Sequence, residues 1–250
     1  MEHDGVRSQN KTLIAIDGNS LLHRAYYALP GMTARDGTPT GALHGFFSML
    51  LLLTQRQPDY LLVAFDVHGK TFRHLKYEDY KAGRRETPDD LRKQFPLLKE
   101  LLTDMGIAVI ECPGFEADDI LGTMAIRCGR KGIDALLVTG DRDALQLVSE
   151  STHVLMTKKG ITETVEYTPE KLMETYGLTP DRMRDLKGLM GDTSDHIPGI
   201  PGVGEKTALR LLGEYGTLNA VLQHAGEIKG KLGERIRENA DSAELSFWLG

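Results

Sequence analysis

Short apolar runs alternate with stretches of helical spacing along the first two thirds of the chain. Residues 12–16 (TLIAI), 59–65 (DYLLVAF), 107–111 (IAVIE) and 134–138 (DALLV) read as strands. Between them, Ala42, Leu43, Phe46, Phe47, Leu50 and Leu53 follow helix periodicity behind the start signal Thr38-Pro39-Thr40. Residues 89–105 are amphipathic, with a kink expected at Pro96, and the stretch GFEADDILGTM opens a helix reaching about Lys131. Residues 152–168 predict a β-hairpin around Lys159-Gly160. The alternation predicts an α/β fold: a mainly parallel central sheet flanked by helices. From about residue 168 helical segments punctuated by Gly and Pro take over. The expected organisation is a polar extension (1–11), an α/β core (12–167) and a helical subdomain (168–250). No internal repeat is apparent.

Composition alters this picture little. The chain has 250 residues, 40% hydrophobic and 26% charged, ordinary values for a globular protein able to bury a core without staples. Two cysteines, Cys112 and Cys128, suggest no disulfide framework. The start MEHDGVRSQNK lacks an apolar leader, and Met49–Leu53 is too short to cross a bilayer, so a cytoplasmic setting and no membrane partner are expected. The net charge of −6 argues weakly against nucleic acid. Its distribution argues otherwise: residues 70–85 carry Lys70, Arg73, Lys76, Lys81, Arg84 and Arg85 against only Glu78 and Asp79.

The acids concentrate where strands end. Asp17, Asp66 and Asp141 each follow a predicted strand, and ligands of open α/β sheets bind at the carboxyl ends of strands. Glu116, Asp118 and Asp119 open the helix after the third strand, and Asp143 follows Asp141 by two. Taken singly, these are turn and cap residues, with acids in a first helical turn worth about 0.3–1 kcal/mol each. Taken together, they raise one another's pKa unless a counter-charge is present. Hard divalent cations with oxygen ligands supply one, and two ions about 3.5–4 Å apart suit both the number of acids and phosphodiester hydrolysis. A glycosidase needs only two acids, zinc favours His and Cys, and no GxxxxGK[ST] loop is present.

Residues 188–208 read GLMGDTSDHIPGIPGVGEKTA. Gly202-Val203-Gly204 before Glu205-Lys206 resembles the turn of a helix–hairpin–helix, whose backbone N–H groups bind phosphate without reading bases, with Lys206 adding charge. Turn carbonyls there also offer a weaker site to a monovalent cation such as K+. Asp192 and Asp195, just upstream, let this subdomain contribute ligands to the crevice.

Five motifs, IDGNSLLHRAYYAL, VAFDVHGKTFRHLKYEDYKAGR, GFEADDILGTMA, VTGDRDALQLV and LMGDTSDHIPGIPGVGEKTA, resemble those of the 5′ nuclease (flap endonuclease) family. The branch they most resemble is the N-terminal 5′→3′ exonuclease domain of bacterial DNA polymerase I. The resemblance implies a PIN-like fold and a metal-dependent 5′→3′ exonuclease and flap endonuclease acting in replication and repair. Its partner would be DNA carrying a 5′ flap or nick, in the bacterial cytosol. It implies one Mg2+ (or Mn2+) among Asp17, Asp66, Glu116 and Asp118. A second would lie among Asp141, Asp143 and Asp195, with Asp119 and Asp192 supporting through water. Lys81 would lie near the scissile phosphate; Arg24, Arg73 and Arg84 would contact DNA; and Gly202, Gly204 and Lys206, within a helix–hairpin–helix at about 186–214, would grip the duplex. Residues 69–90 would form the arch over the 5′ strand. A monomer is expected, with a polymerase domain in the same chain or in trans. Two departures stand out. Position 196 is His where the family usually has Asn, and the chain stops at ELSFWLG, as a polymerase fragment or a stand-alone nuclease would. A DNA-junction binder with weak catalysis and a related 5′ RNase are the alternative readings. The arch is expected to be mobile without DNA, so hydrogen-exchange protection of residues 69–90 should rise on adding flap DNA; unchanged protection would count against this.

Overall fold

The computed structural model describes residues 10–158, 160 and 163–250; residues 1–9 of the expected extension lie outside the described residues. Six strands form one sheet: β1 (Thr12–Asp17), β2 (Tyr60–Phe65), β3 (Ala108–Glu111), β4 (Asp134–Thr139), β5 (Thr152–Thr157) and β6 (Thr164–Tyr167). Their order is β3-β2-β1-β4-β5-β6. All neighbours run parallel except β5 and β6, which form the expected hairpin. Of its expected turn residues, Lys159 lies outside the described residues.

The apolar runs are continuous because the sheet is covered on both sides. Successive side chains of a strand point to opposite faces, and the two cores divide accordingly. Ile14, Ile16, Val63, Phe65 and Val138 pack against α1 (Gly18–Ala28), α2 (Gly41–Thr54) and the later helix Gln94–Asp104. Leu13, Ala15, Leu62, Ala64 and Leu137 face the opposite core. Between β2 and β3 the chain makes α3 (Phe72–Lys76), a run of turns, α4 (Asp89–Arg92) and α5 (Gln94–Asp104). The interruption expected at Pro96 falls instead at Lys93, between α4 and α5. Pro96 sits in the first turn of α5, where its missing N–H removes no helical hydrogen bond. The second core is roofed by α6 (Ala117–Gly129).

After β6, α7 (Pro169–Tyr176) places Leu172 in that second core, so the change of sequence texture near residue 168 precedes the change of core by one helix. A third apolar cluster begins at Leu178 and is built by α8 (Met183–Met190), α9 (Glu205–Tyr215), α10 (Leu218–Gln223), α11 (Lys231–Glu238) and α12 (Ala240–Leu249). No helix among the described residues is long and apolar enough to cross a membrane. Cys112 and Cys128 are free.

The loop between α8 and α9 is closed by reciprocal backbone bonds between Asp192 and Ile197 (2.9 and 2.8 Å). Gly191 and Gly199 lie back to back beneath it. Gly199 has φ +58°, and a Cβ there would stand 2.3 Å from the Gly191 nitrogen. His196, at the tip, has φ +60°. Asn adopts that left-handed geometry readily, which gives a backbone reason for the family's preference at this position. Two outcomes follow for thermal melts. Gly199→Ala should cost about 2–4 kcal/mol, and His196→Asn should raise stability by up to about 1 kcal/mol.

Candidate metal centre and nucleic-acid interface

The parallel register brings the carboxyl ends of three strands level. Asp17 pairs with Ala64 and Ile16 with Val138, so Asp17, Asp66 and Asp141 leave the same edge of the sheet. Strand order reverses direction at β1, with β2 on one side and β4 on the other, and this is where open α/β sheets form a crevice. Here the crevice is a cavity of about 760 Å3. Seven of the nine expected acids line it: Asp17, Asp66, Glu116, Asp118, Asp141, Asp143 and Asp192. Asp195 joins them from below, since one carboxylate oxygen each of Asp143, Asp192 and Asp195 lies within 4.8 Å of the others. Asp119 is turned away from the cavity.

The acids also serve as local structure. Asp17 caps α1 through Ser20 N (2.9 Å) and accepts from Thr139 Oγ1 (2.9 Å). Asp66 accepts from the amide of Ala117 (2.7 Å), tying β2 to the start of α6. Asp141 accepts from Asp143 N (3.0 Å) at the head of the 3-10 turn Arg142–Leu147. Capping and ligand roles are therefore not alternatives. The same carboxylates that satisfy helix starts are aimed into one cavity because all those starts open on it.

Cations from three directions hold the acids. Lys81 Nζ donates to Glu116 Oε1 (2.6 Å), and the buried Tyr80 hydroxyl donates to Glu116 Oε2 (2.9 Å). Arg84 Nε donates to Asp195 (3.1 Å), and the amide of Lys81 donates to the Asp195 carbonyl (2.9 Å). Lys187, buried in α8, pairs with Asp143 and with Asp192 (3.0 Å). Thus residues 80–84 dock on both the α6 acids and the α8–α9 loop. Sequence reasoning passed over Lys187, Tyr80 and Thr139. The signal for Lys187 was faint: a lysine between Leu186 and Leu189, on the face of α8 that turns inward.

The residues expected to contact DNA fall in three places. Lys81, Arg84 and Arg24 line the cavity. Arg24 also donates to the carbonyls of Gly140 (2.8 Å) and Lys158 (3.1 Å). Gly202, Gly204 and Lys206 are exposed at the start of α9, whose first residue, Glu205, reaches the cavity rim and pairs with Arg142 (2.9 Å). Gly202 has φ +78°, and Gly204 caps α9. Arg73 is buried behind the α6 acids rather than exposed to the cavity.

Burial pushes several acids up. Asp17 and Asp143 rise to about 6 and Asp118 to about 7. For each the main cause is loss of water; Asp66 and Asp141 add repulsion at Asp17, and Asp119 and Glu116 at Asp118. Lys187 loses water too, yet Asp143 and Asp192 hold it protonated, raised above the ordinary lysine value. An all-oxygen, mostly carboxylate donor set whose ionisation is resisted by burial and like charge fits hard divalent cations.

Comparison with known proteins agrees with this geometry. The family model described as the 5′-3′ exonuclease N-terminal resolvase-like domain matches residues 12–177, and that described as the 5′-3′ exonuclease C-terminal SAM fold matches residues 178–250. DNA polymerase I of Geobacillus stearothermophilus is 52% identical over 239 residues, covering 95% of this chain and 27% of the relative. DNA polymerase I of Bacillus subtilis is 44% identical over 241 residues, covering 96% and 27%. The chain thus spans about a quarter of the length of these relatives. A bacteriophage T5 flap endonuclease, solved as a pseudo-enzyme-product complex with DNA and metal ions, shares the fold at TM-score 0.76 and 20% identity, over 96% of this chain and 88% of that one.

The raised carboxyls fix a pH dependence. The folded chain keeps their protons to a higher pH than the unfolded chain, so ionising them costs stability. Their contribution to the metal-free protein should fall as pH climbs from about 4 through about 6 (Asp17, Asp143) and about 7 (Asp118). A divalent ion such as Mg2+ would bind the ionised forms, so any rise in melting temperature on adding Mg2+ should be larger at pH 8 than at pH 5.5. Equal rises at both pH values would contradict the assignment.

Proposed function

The chain belongs to the 5′-3′ exonuclease family, and we propose that it hydrolyses DNA phosphodiesters at 5′ flaps and nicks with two divalent ions, Mg2+ or Mn2+. The observation that carries this reading is the convergence of seven carboxylates on one cavity whose walls also carry Lys81, Arg84 and Arg24. Acids alone would repel a phosphate backbone; acids neutralised by ions and flanked by cations admit one.

Asp17, Asp66, Glu116 and Asp118 are the residues to hold one ion, and Asp141, Asp143, Asp192 and Asp195 the other. When bound, such ions supply Lewis acidity, making water nucleophilic near neutral pH and stabilising charge on the phosphate and leaving oxygen. The protein's own part is placement. Thr139 and Ser20 orient Asp17, and the α6 amide of Ala117 orients Asp66. Lys81 and Arg84 stand on the arch side of the cavity, where phosphate oxygens can replace Glu116 and Asp195 as their partners. Lys187 offsets the charge of Asp143 and Asp192 from within the subdomain. Gly202, Gly204 and Lys206 lie beyond the rim, positioned to hold duplex backbone while the 5′ end enters the cavity. The turn carbonyls there are also the proposed site for K+. A polymerase domain, in the same chain or in trans, is the proposed partner, by analogy with the relatives, and a bacterial cytosolic setting accompanies it.

A labelled 5′-flap oligonucleotide tests the reading directly. Cleavage should require Mg2+ and stop with EDTA. Asp66→Ala should abolish cleavage while flap binding persists. Lys81→Ala should slow turnover about 10²- to 10³-fold with a much smaller loss of binding. A folded protein that binds flaps without cutting them at any metal concentration would sink the proposal.

A further inference from the structure

Arg73 and Asp119 both lie next to the candidate centre, yet neither is among the residues lining its cavity. Arg73 is only 8% exposed. Each of its three guanidinium nitrogens is used inside the protein. Nε donates to the carbonyl of Leu249 (2.9 Å). One terminal nitrogen donates to Asp119 Oδ2 (3.0 Å) and Glu116 Oε2 (3.3 Å), and the other to Asp119 Oδ1 (3.1 Å). The Phe72 ring covers the guanidinium, 4.7 Å from its centroid. Asp119 is equally committed, because its Oδ2 also accepts from the backbone amide of Glu116 (2.9 Å).

This is a bidentate Arg–carboxylate pair, the geometry that fixes orientation as well as charge. It joins three elements far apart in sequence: α3 at the foot of the arch, the start of α6, and the last turn of α12. Asp118, one residue away, projects into the cavity instead, because successive helical positions differ by about 100°. Glu116 stands between the two groups, its Oε2 shared by Arg73 and Tyr80 and its Oε1 held by Lys81.

We propose that Arg73 and Asp119 act as a clamp, positioning Glu116 and Asp118 toward the cavity, and that neither touches DNA or a metal ion. The clamp rests on the nuclease reading of the site. It makes the end of α12 part of the centre's scaffold, since Leu249 is buried and its carbonyl anchors Arg73, while the neighbouring Gly250 carbonyl accepts from Gln146 (2.9 Å). Trp248 lies in the same turn, edge-on to Phe72 at 5.8 Å between ring centroids, and it is the chain's only tryptophan. Its fluorescence therefore reports on this junction.

The test compares Arg73→Gln, Arg73→Lys, Asp119→Asn and the double variant Arg73→Gln/Asp119→Asn in the full chain. Mn2+ binding is followed by EPR without DNA, and flap-DNA binding by anisotropy in EDTA. Each neutralising substitution should weaken Mn2+ binding about 10- to 100-fold. The double variant should be no weaker than the weaker single, within about twofold, because both remove one interaction. Arg73→Lys should be intermediate, keeping the charge without the fork. Flap affinity in EDTA should stay within about twofold of the parent, with an unchanged salt slope. Trp248 emission should shift in Arg73→Gln.

Loss of tenfold or more in flap affinity for Arg73→Gln, with Mn2+ binding intact, would make Arg73 a phosphate contact and overturn the clamp. Independent, multiplying effects of the two substitutions, or fewer Mn2+ bound in Asp119→Asn alone, would make Asp119 a ligand and also overturn it. If Arg73→Gln does not fold, Arg73→Lys and Asp119→Asn are judged by the same criteria. A parent chain that cleaves no flap would refute the nuclease reading, whereas the clamp is decided by the two binding measurements.

Discussion

The structure depends on holding a crowd of carboxylates against their mutual repulsion. Asp17, Asp66, Glu116, Asp118, Asp141, Asp143, Asp192 and Asp195 come from five separate regions of the chain and meet around one cavity. Burial resists the charged forms of Asp17, Asp118 and Asp143, lifting each toward neutrality. Such an arrangement persists only if each oxygen has a donor or a cation nearby. Here the donors are amides at helix starts, and the cations are Lys81, Arg84, Arg73 and Lys187.

Those counter-charges explain why the molecule's parts are joined as they are. The sheet supplies the strand ends, but neutralisation comes from outside it. Residues 80–84 reach Glu116 and Asp195 at once, and Tyr80 packs with Ile197 and Leu249 in a small apolar cluster of their own. Lys187 arrives from α8 to sit between Asp143 of the sheet edge and Asp192 of its own loop. Residues 80–84 and the helical subdomain are thus bound to the core through the charges of the site. The proposed divalent ions and phosphate would replace partners for those same groups, which would link occupancy of the site to the docking of these segments.

Much of the fold was legible in the sequence because its signals are local. Four apolar runs marked four strands, and the hairpin was marked by its turn residues. Strand-end aspartates pointed to the crevice without any knowledge of strand order. The break near residue 93 was less legible: Pro96 signals an interruption, but the first turn of a helix accommodates proline, so the sequence marks the neighbourhood rather than the residue. Lys187 was barely legible because a lysine at helical spacing looks like a solvated side chain until the partner carboxylates are placed beside it. Arg73, which the family resemblance marked as a DNA contact, turns its guanidinium toward Asp119 and Glu116, a direction that charge and spacing do not encode.

The three acids of the stretch from Gly114 to Met124 show where the boundary lies. The sequence by itself determined that a helix starts there and that Glu116, Asp118 and Asp119 crowd its first turn, because capping and charge repulsion act between near neighbours. Only the tertiary structure decided their separate duties. Asp118 faces the cavity, Asp119 faces Arg73, and Glu116 is shared between Arg73, Tyr80 and Lys81. Those partners lie 35 or more residues away in the chain. Their positions are set by the packing of α3 and α12 against the core, which no local pattern encodes.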